Sequence, residues 1–282
     1  MKVFSTIKEI RQALEECKAK KKSIGFVPTM GALHKGHIAL TSKAKSENDV
    51  LACSIFVNPT QFNDKDDLLK YPRTLESDLL MLEQAGADFV FTPEANEIYP
   101  SNEPIEEFDF KNLDKVMEGA HRPGHFKGVA RVVTKLFRIV KPNRAYFGEK
   151  DFQQLVIIRK IAEKLFPKIQ IIPCPTIREE SGLAMSSRNS LLDSEAKKEA
   201  ALISKTLFQL NDLKKQKSIS ELKTFIEENI NSSRFLSLEY FEIADENSLS
   251  PLEKIDKKSK ARAFIAVIAG SVRLIDNVSL NS

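Results

Sequence analysis

Gly25-Phe26-Val27-Pro28-Thr29-Met30-Gly31-Ala32-Leu33-His34-Lys35-Gly36-His37 opens as a short apolar strand and breaks at Pro28. It then passes Gly31, Gly36 and two histidines before a helical pattern begins. A strand that turns through glycine into a helix is a ready phosphate cradle. Free backbone N–H groups and the positive end of the helix dipole meet there. His34 and His37 add ring N–H donors and, when protonated, a charge that follows pH.

Working outward, Ile7, Ile10, Leu14 and Cys17 mark one face of an amphipathic helix over 6–20. Residues 23–27 read as a strand and 38–47 as a helix. Residues 50–57 (VLACSIFV) form a continuous apolar run, which suits a parallel strand covered on both faces. A polar loop follows Asn58 to about Arg73. Leu75, Leu79 and Leu82 line a helix over 74–86 that Gly86 stops, and 88–91 is the next strand. This alternation predicts right-handed βαβ units around a parallel sheet.

Residues 92–104 carry three prolines and read as a loop. Residues 108–128, with Gly119, Gly124 and Gly128, read as a glycine-rich loop. A helix over 129–140, a strand at 145–147, a turn at 148–151, a helix over 152–166 and a strand at 169–172 complete the pattern. Pro173 and Pro175 bracket Cys174 where the alternation ends. Beyond it lie a helix from Asp193 or Ser194 to about 217, a second over 219–231, and strands near 236–244, 262–269 and 271–276. Helices followed by strands predict a small α+β unit. The fold class is therefore α/β, with a parallel-sheet domain over 1–175 and a smaller α+β domain over 176–282.

The 282 residues, at roughly 150 per domain, agree with two domains. Hydrophobic residues make up 42% and charged residues 29%, enough for an ordinary core. No run approaches the roughly 20 apolar residues of a membrane helix, and the N-terminus lacks a secretory pattern. Three scattered cysteines (Cys17, Cys53, Cys174) point to free thiols in a reducing compartment, hence the cytoplasm. The net charge of +4 is mild, and its lysine runs (18–22, 257–260) read as solvated surface rather than a nucleic-acid patch.

The four histidines form two groups, His34/His37 and His121/His125. They could supply four metal nitrogens, but a cation and a glycine separate the first pair and no carboxylate lies between them. Phosphate contact is the favoured reading. Asn58 and Gln61 follow a buried strand, where amides can read hydroxyl and carboxylate groups; Asn58-Pro59 could equally make a turn. Gly148-Glu149-Lys150-Asp151 repeats the strand–glycine–helix pattern. Lys150 can meet a phosphate, and Asp151 can accept from ribose hydroxyls or cap the helix. Gln153 and Gln154 open that helix, and one should face the cleft. Met185-Ser186-Ser187-Arg188 offers two hydroxyls and a guanidinium suited to a triphosphate, or a plain helix-entry loop.

At this point the residues resemble a known family. Pro28 to His37 is similar to the HxGH signature of the HIGH nucleotidyltransferase superfamily. Phe56-Val57-Asn58-Pro59-Thr60-Gln61-Phe62, Tyr71-Pro72-Arg73-Thr74, His121 to Phe126, Gly148 to Gln154 and Arg178 to Asn189 follow in the order of the pantoate–β-alanine ligase (pantothenate synthetase) family. Ser181 stands before Gly182 where an Asp is common. The resemblance implies a Rossmann-like first domain, a lid-like second domain, a cytoplasmic homodimer, and no nucleic-acid or membrane partner. It implies condensation of pantoate with β-alanine at the expense of ATP, giving pantothenate, AMP and pyrophosphate through pantoyl adenylate, with Mg²⁺. ATP would lie against Met30, Gly31, Ala32, Leu33, His34, Lys35, Gly36, His37, Gly148, Glu149, Lys150, Asp151, the backbone of Ile177, Met185, Ser186, Ser187 and Arg188. Gln61 and Gln154 would hold pantoate, with Gln61 also near β-alanine, and no protein side chain is assigned to the metal. His37 is the expected catalytic histidine, with His34, Lys150 and Arg188 supplying charge or donors. Phe62 and Met30 are candidates for an apolar wall against pantoate's methyl groups. A plain nucleotidyltransferase of the same superfamily is the alternative; it would use His34 and His37 but leave Gln61 and Gln154 unexplained.

Overall fold

The computed structural model describes residues 1–63, 65–101, 104, 106–256, 258 and 260–281. Asp64 of the expected polar loop, Asn102 and Glu103 of the proline-bearing loop and Lys257 of the second lysine run lie outside the described residues.

The chain begins with β1 (Lys2–Phe4), α1 (Ile7–Ala19), β2 (Ile24–Thr29), α2 (Lys35–Glu47) and β3 (Val50–Ile55). It continues through α3 (Lys65–Lys70), α4 (Leu75–Gln84), β4 (Phe89–Phe91), α5 (Ala95–Ile98), α6 (Glu118–His121) and α7 (His125–Val140). Next come β5 (Arg144–Gly148), α8 (Phe152–Leu165) and β6 (Gln170–Cys174). Short 3₁₀ turns cover Pro59–Gln61, Glu149–Asp151 and Ser187–Leu191.

β1 to β6 form one parallel sheet in the order β1-β4-β3-β2-β5-β6. Two-residue alternation sends side chains to opposite faces. Ile24 and Phe26 of β2 and Val50 and Ala52 of β3 meet α1, α7 and α8 on one face. Val27, Leu51, Cys53 and Ile55 meet α2 and α4 on the other. Both faces are covered, which is why β3 reads as an unbroken apolar run. The chain winds from β2 toward β3 and β4, then returns to place β5 on the other side of β2. Ligands of open parallel sheets bind beyond the strand ends at such a reversal.

The second sheet joins β7 (Leu236–Asp245), β8 (Ala261–Ala269) and β9 (Val272–Ser279) in antiparallel order. Its own apolar cluster includes α9 (Ser194–Leu213) and α10 (Ile219–Asn231). Asp193 caps α9, and a Ser218–Glu221 capping box starts α10. Ala244, Leu249 and Phe264 instead pack into the cluster of the parallel sheet, so the two units share an apolar contact.

Local expectations change at several places. β2 runs on through Pro28 to Thr29 instead of breaking there, and the proline-bearing loop contains α5. β1 went unread because three residues carry no period; its pairing to β4 gives it its place. The polar loop after Asn58 contains α3. The glycine-rich segment is largely ordered: α6 lies within it, and α7 starts at His125 rather than Val129. Gly128 is helical; a Cβ there would lie 2.1 Å from the carbonyl oxygen of Thr60, so this glycine marks a close approach, not a loop. β9 runs on to Ser279.

Candidate active site

At the ends of β2 and β5 lies a cavity of about 240 Å³. Met30 and His34 reach it from the turn after β2, Gly36 and His37 from the first turn of α2, and Gln61 from the turn after β3. Gly148, Lys150, Asp151 and Gln154 reach it from β5 and α8. Ile177, Met185, Ser186, Ser187 and Arg188 close it from the segment after β6. Gly31, Ala32, Leu33, Lys35 and Glu149 are outside its wall, although the resemblance groups them with the nucleotide.

The reason is in the turn itself. Gly31 and Ala32 both have positive φ (82° and 50°), which aims successive backbone N–H groups at one point. That point is the buried carboxylate of Asp78 on α4. Ala32 N donates to Asp78 Oδ2 at 2.9 Å and Leu33 N to Oδ1 at 2.8 Å. These amides are therefore not free for phosphate. Gly36 N donates to His34 Nδ1 at 3.1 Å, and His34 N to His37 Nδ1 at 3.3 Å. The two imidazoles cap their own helix.

This arrangement settles the ring tautomers. A backbone N–H only donates, so each Nδ1 accepts and carries no proton. A neutral ring then holds its proton on Nε2. Loss of water around the rings, with Lys150 nearby, pushes His34 down to about 4. Loss of water, His34 and Lys150 push His37 down to about 3. Both rings are therefore held neutral at pH 7 and offer Nε2–H as a donor, the donor alternative of the sequence reading. The cations on the wall are Lys150, Arg188 and Arg122.

Asn58 organises the substrate end. Its Nδ2 donates to Gln61 Oε1 at 2.9 Å and to Gly128 O at 3.2 Å. Its Oδ1 accepts from Thr60 N and from Tyr99 Oη, at 3.2 and 2.8 Å. Asn58 thus makes the turn and also orients Gln61, whose Nε2 donates to Met30 Sδ at 2.8 Å. His125 Nδ1–H donates to the Gln61 carbonyl at 2.7 Å, leaving Nε2 to accept from Arg122 at 3.4 Å. Burial, then Arg122, hold His125 down to about 4. Phe62 and Met30 lie on the wall, as do Val129, Val133 and Leu136 of α7. Of the paired glutamines, Gln153 is buried and bonded to Glu118 N and Leu113 O, and Gln154 faces the cavity.

The second sheet holds the lysine turn. Asn277 of β9 donates from Nδ2 to the carbonyls of Glu149 and Lys150, at 2.9 and 2.8 Å. Arg262 donates to Asn277 Oδ1 at 2.6 Å and lies 3.8 Å over the Phe152 ring. Arg178 donates to both oxygens of Asp276, at 2.6 and 3.0 Å. At the mouth, Arg188 Nη2 meets both oxygens of Asp67 on α3, at 3.1 and 2.9 Å, and Tyr71 Oη lies 3.4 Å from Ser187 Oγ.

Sequence reasoning assigned no role to Arg122, Tyr71 or Asp78, and left the role of His125 open. Arg122 and Tyr71 stood out only through the motifs around them, and no motif covers Asp78. His121 lies off the cavity wall, 3.7 Å from Glu239 and stacked on Tyr240. Among the described residues no three His, Cys, Asp or Glu side chains gather as a metal site. Among them, no helix is long and apolar enough to cross a membrane.

The comparisons with known proteins agree with this geometry. The family model described as pantoate-beta-alanine ligase matches residues 2–279. A pantothenate synthetase of Bacteroides fragilis (strain YCH46) is 49% identical over 278 residues, covering 99% of this chain and 98% of that protein. The crystal structure of pantothenate synthetase from Thermus thermophilus superposes with a TM-score of 0.93 at 40% identity, covering 100% of both chains. A pantoate-beta-alanine ligase from Francisella tularensis, complexed with beta-gamma ATP and beta-alanine, gives a TM-score of 0.83 at 38% identity, covering 99% and 98%. From Lys2 to Ser279, in sequence and in fold, this chain belongs to the pantoate–β-alanine ligase family.

Proposed function

We propose that this cavity condenses pantoate with β-alanine in two steps. The carboxylate of pantoate attacks the α-phosphorus of ATP, and the bond to pyrophosphate breaks. The amine of β-alanine then attacks the acyl carbon of pantoyl adenylate, and AMP leaves. One observation carries the reading: two neutral histidine donors, Lys150 and Arg188 share a single wall with Gln61 and Gln154.

A carboxylate is already ionised at pH 7, so the first step needs no base. It needs two anions held together and the developing phosphoryl charge met by fixed donors. His37 and His34 give Nε2–H donors that do not release protons at neutral pH. Lys150 and Arg188 give positive charge. Gln61 and Gln154 grip the hydroxyls and carboxylate of pantoate, with Gln61 also beside β-alanine. Met30, Phe62 and the valines of α7 face the methyl groups. Magnesium enters with ATP as part of the substrate, held mainly by phosphate oxygens and water. Residues 176–282 form the second domain, whose Met185–Arg188 segment screens the acyl phosphate from water. The working form is a cytoplasmic homodimer.

The test is AMP release with pantoate, β-alanine and ATP each omitted in turn. AMP should depend on pantoate and ATP, and sustained turnover on all three. Oxygen-18 in the pantoate carboxylate should appear in AMP; unlabelled AMP during turnover removes the adenylate. A product that retains the nucleotide would favour the plain nucleotidyltransferase.

A further inference from the structure

The amides that look ready for phosphate are occupied from within the chain, by a carboxylate on another element. We infer that Asp78 is a positioning residue: it fills the anion-binding turn at Gly31–Leu33 and thereby sets the aim of the His34 and His37 donors.

Successive N–H groups in a left-handed turn form a concavity that binds anions. Here both oxygens of Asp78 sit in it, at 2.9 and 2.8 Å from Ala32 N and Leu33 N. Thr74 Oγ1 adds a third donor to Oδ1 at 3.2 Å. Asp78 is 1% exposed, so its charge is matched by these donors rather than by water. The turn accepts no larger guest: a Cβ on Gly31 would lie 3.0 Å from Asp78 Oδ2 and 3.2 Å from Ile55 Cγ2.

The contact links two elements that sequence order keeps apart. Leu33 is followed at once by His34, whose N–H goes to His37 Nδ1. Two hydrogen bonds between α4 and the turn and two between the helix start and the rings are thus joined through the single Leu33–His34 peptide link. Without the carboxylate, Ala32, at φ 50°, has nothing to hold it in a region that L residues seldom adopt. The turn would relax, and with it the self-capping that fixes the tautomers. Asp78 also makes the site selective in what binds phosphate. A triphosphate meets ring N–H groups and cations here, because the backbone amides already hold an anion.

This inference rests on the reading that His34 and His37 face the phosphates. Asp78→Asn in the full chain keeps the shape but turns one acceptor into a donor. The expected result has two parts. First, kcat for AMP release falls by at least about threefold while KM for ATP and pantoate stays within about threefold. Second, imidazole nitrogen resonances show His34 and His37 leaving the single Nε2–H tautomer. A smaller loss of kcat, or unshifted histidine signals, overturns the role. If Asp78→Asn does not fold, Thr74→Val is read by the same resonances: shifted signals support it and unshifted ones overturn it. The resonances need no substrate. A wild-type protein that releases no AMP therefore counts against the reaction and not against Asp78.

Discussion

The inner and outer ends of the cavity are built on opposite terms. At the inner end the His34–His37 turn spends its donors internally: Asp78 holds two amides, and the rings hold two more. At the outer end Arg188 is paired with Asp67, both partly exposed, across the mouth. A buried carboxylate with two short amide donors and a longer hydroxyl donor has no better partner in water. A half-exposed ion pair contributes about 0.2–1 kcal/mol and yields readily to a more highly charged phosphate. The inner end is thus preorganised, and the outer end is exchangeable. That division suits a reaction whose charge must be met at one fixed point while substrates enter and leave at another.

The largest test of this contrast is His37→Ala, which should lower kcat by about 10²-fold or more with KM nearly unchanged. Steady-state AMP release measures it, and a change confined to KM would remove the histidine from the transition state. Next, Gln61→Ala should raise KM for pantoate about tenfold and leave KM for ATP within about twofold. Equal weakening of both substrates would remove Gln61 from the pantoate site.

Acidification probes the inner end without mutation. His34, His37 and His125 have folded pKa values near 4, 3 and 4, below the ordinary 6.5. Between these limits the unfolded chain binds more protons than the folded one, so stability rises with pH across this window. Tm should therefore fall as pH drops from 6.5 toward 4. A Tm unchanged between pH 7.5 and 5.0 would show that these rings titrate normally.

Smaller effects belong to the supports. Asn277→Ala removes two hydrogen bonds to the lysine turn, each about 0.5–1.5 kcal/mol. Thermal unfolding should show a loss of a few degrees, roughly 2–4 °C per kcal/mol. Asp67→Ala should act least and in the other direction. Freed of its carboxylate, Arg188 should bind ATP up to about fivefold tighter, read as a lower KM. A raised KM would mean that Asp67 places Arg188 rather than competing for it.

Much of the parallel sheet was legible because β3 is apolar on both faces and the helices carry a clear period. The antiparallel unit was legible from two capped helices followed by strands. The segment around Gly119–Gly128 resists reading because glycine serves both turns and close contacts: Gly124 takes a positive φ in open space, whereas Gly119 and Gly128 lie against the backbones of Asp114 and Thr60. The neutral state of the histidines was equally hidden, since water loss and the nearness of Lys150 are properties of the assembled cavity.

By itself, the sequence determined the strand–turn–helix grammar of 25–37, the amides after β3 and the lysine turn after β5, because each is a local pattern of residue type and spacing. The tertiary structure alone decided what those groups are free to do. Asp78 reaches the turn from α4, and Asn277 reaches the lysine turn from β9. Hydrogen-bond capacity is shared between partners distant in sequence, so which donors remain for a substrate is fixed only when the chain has folded.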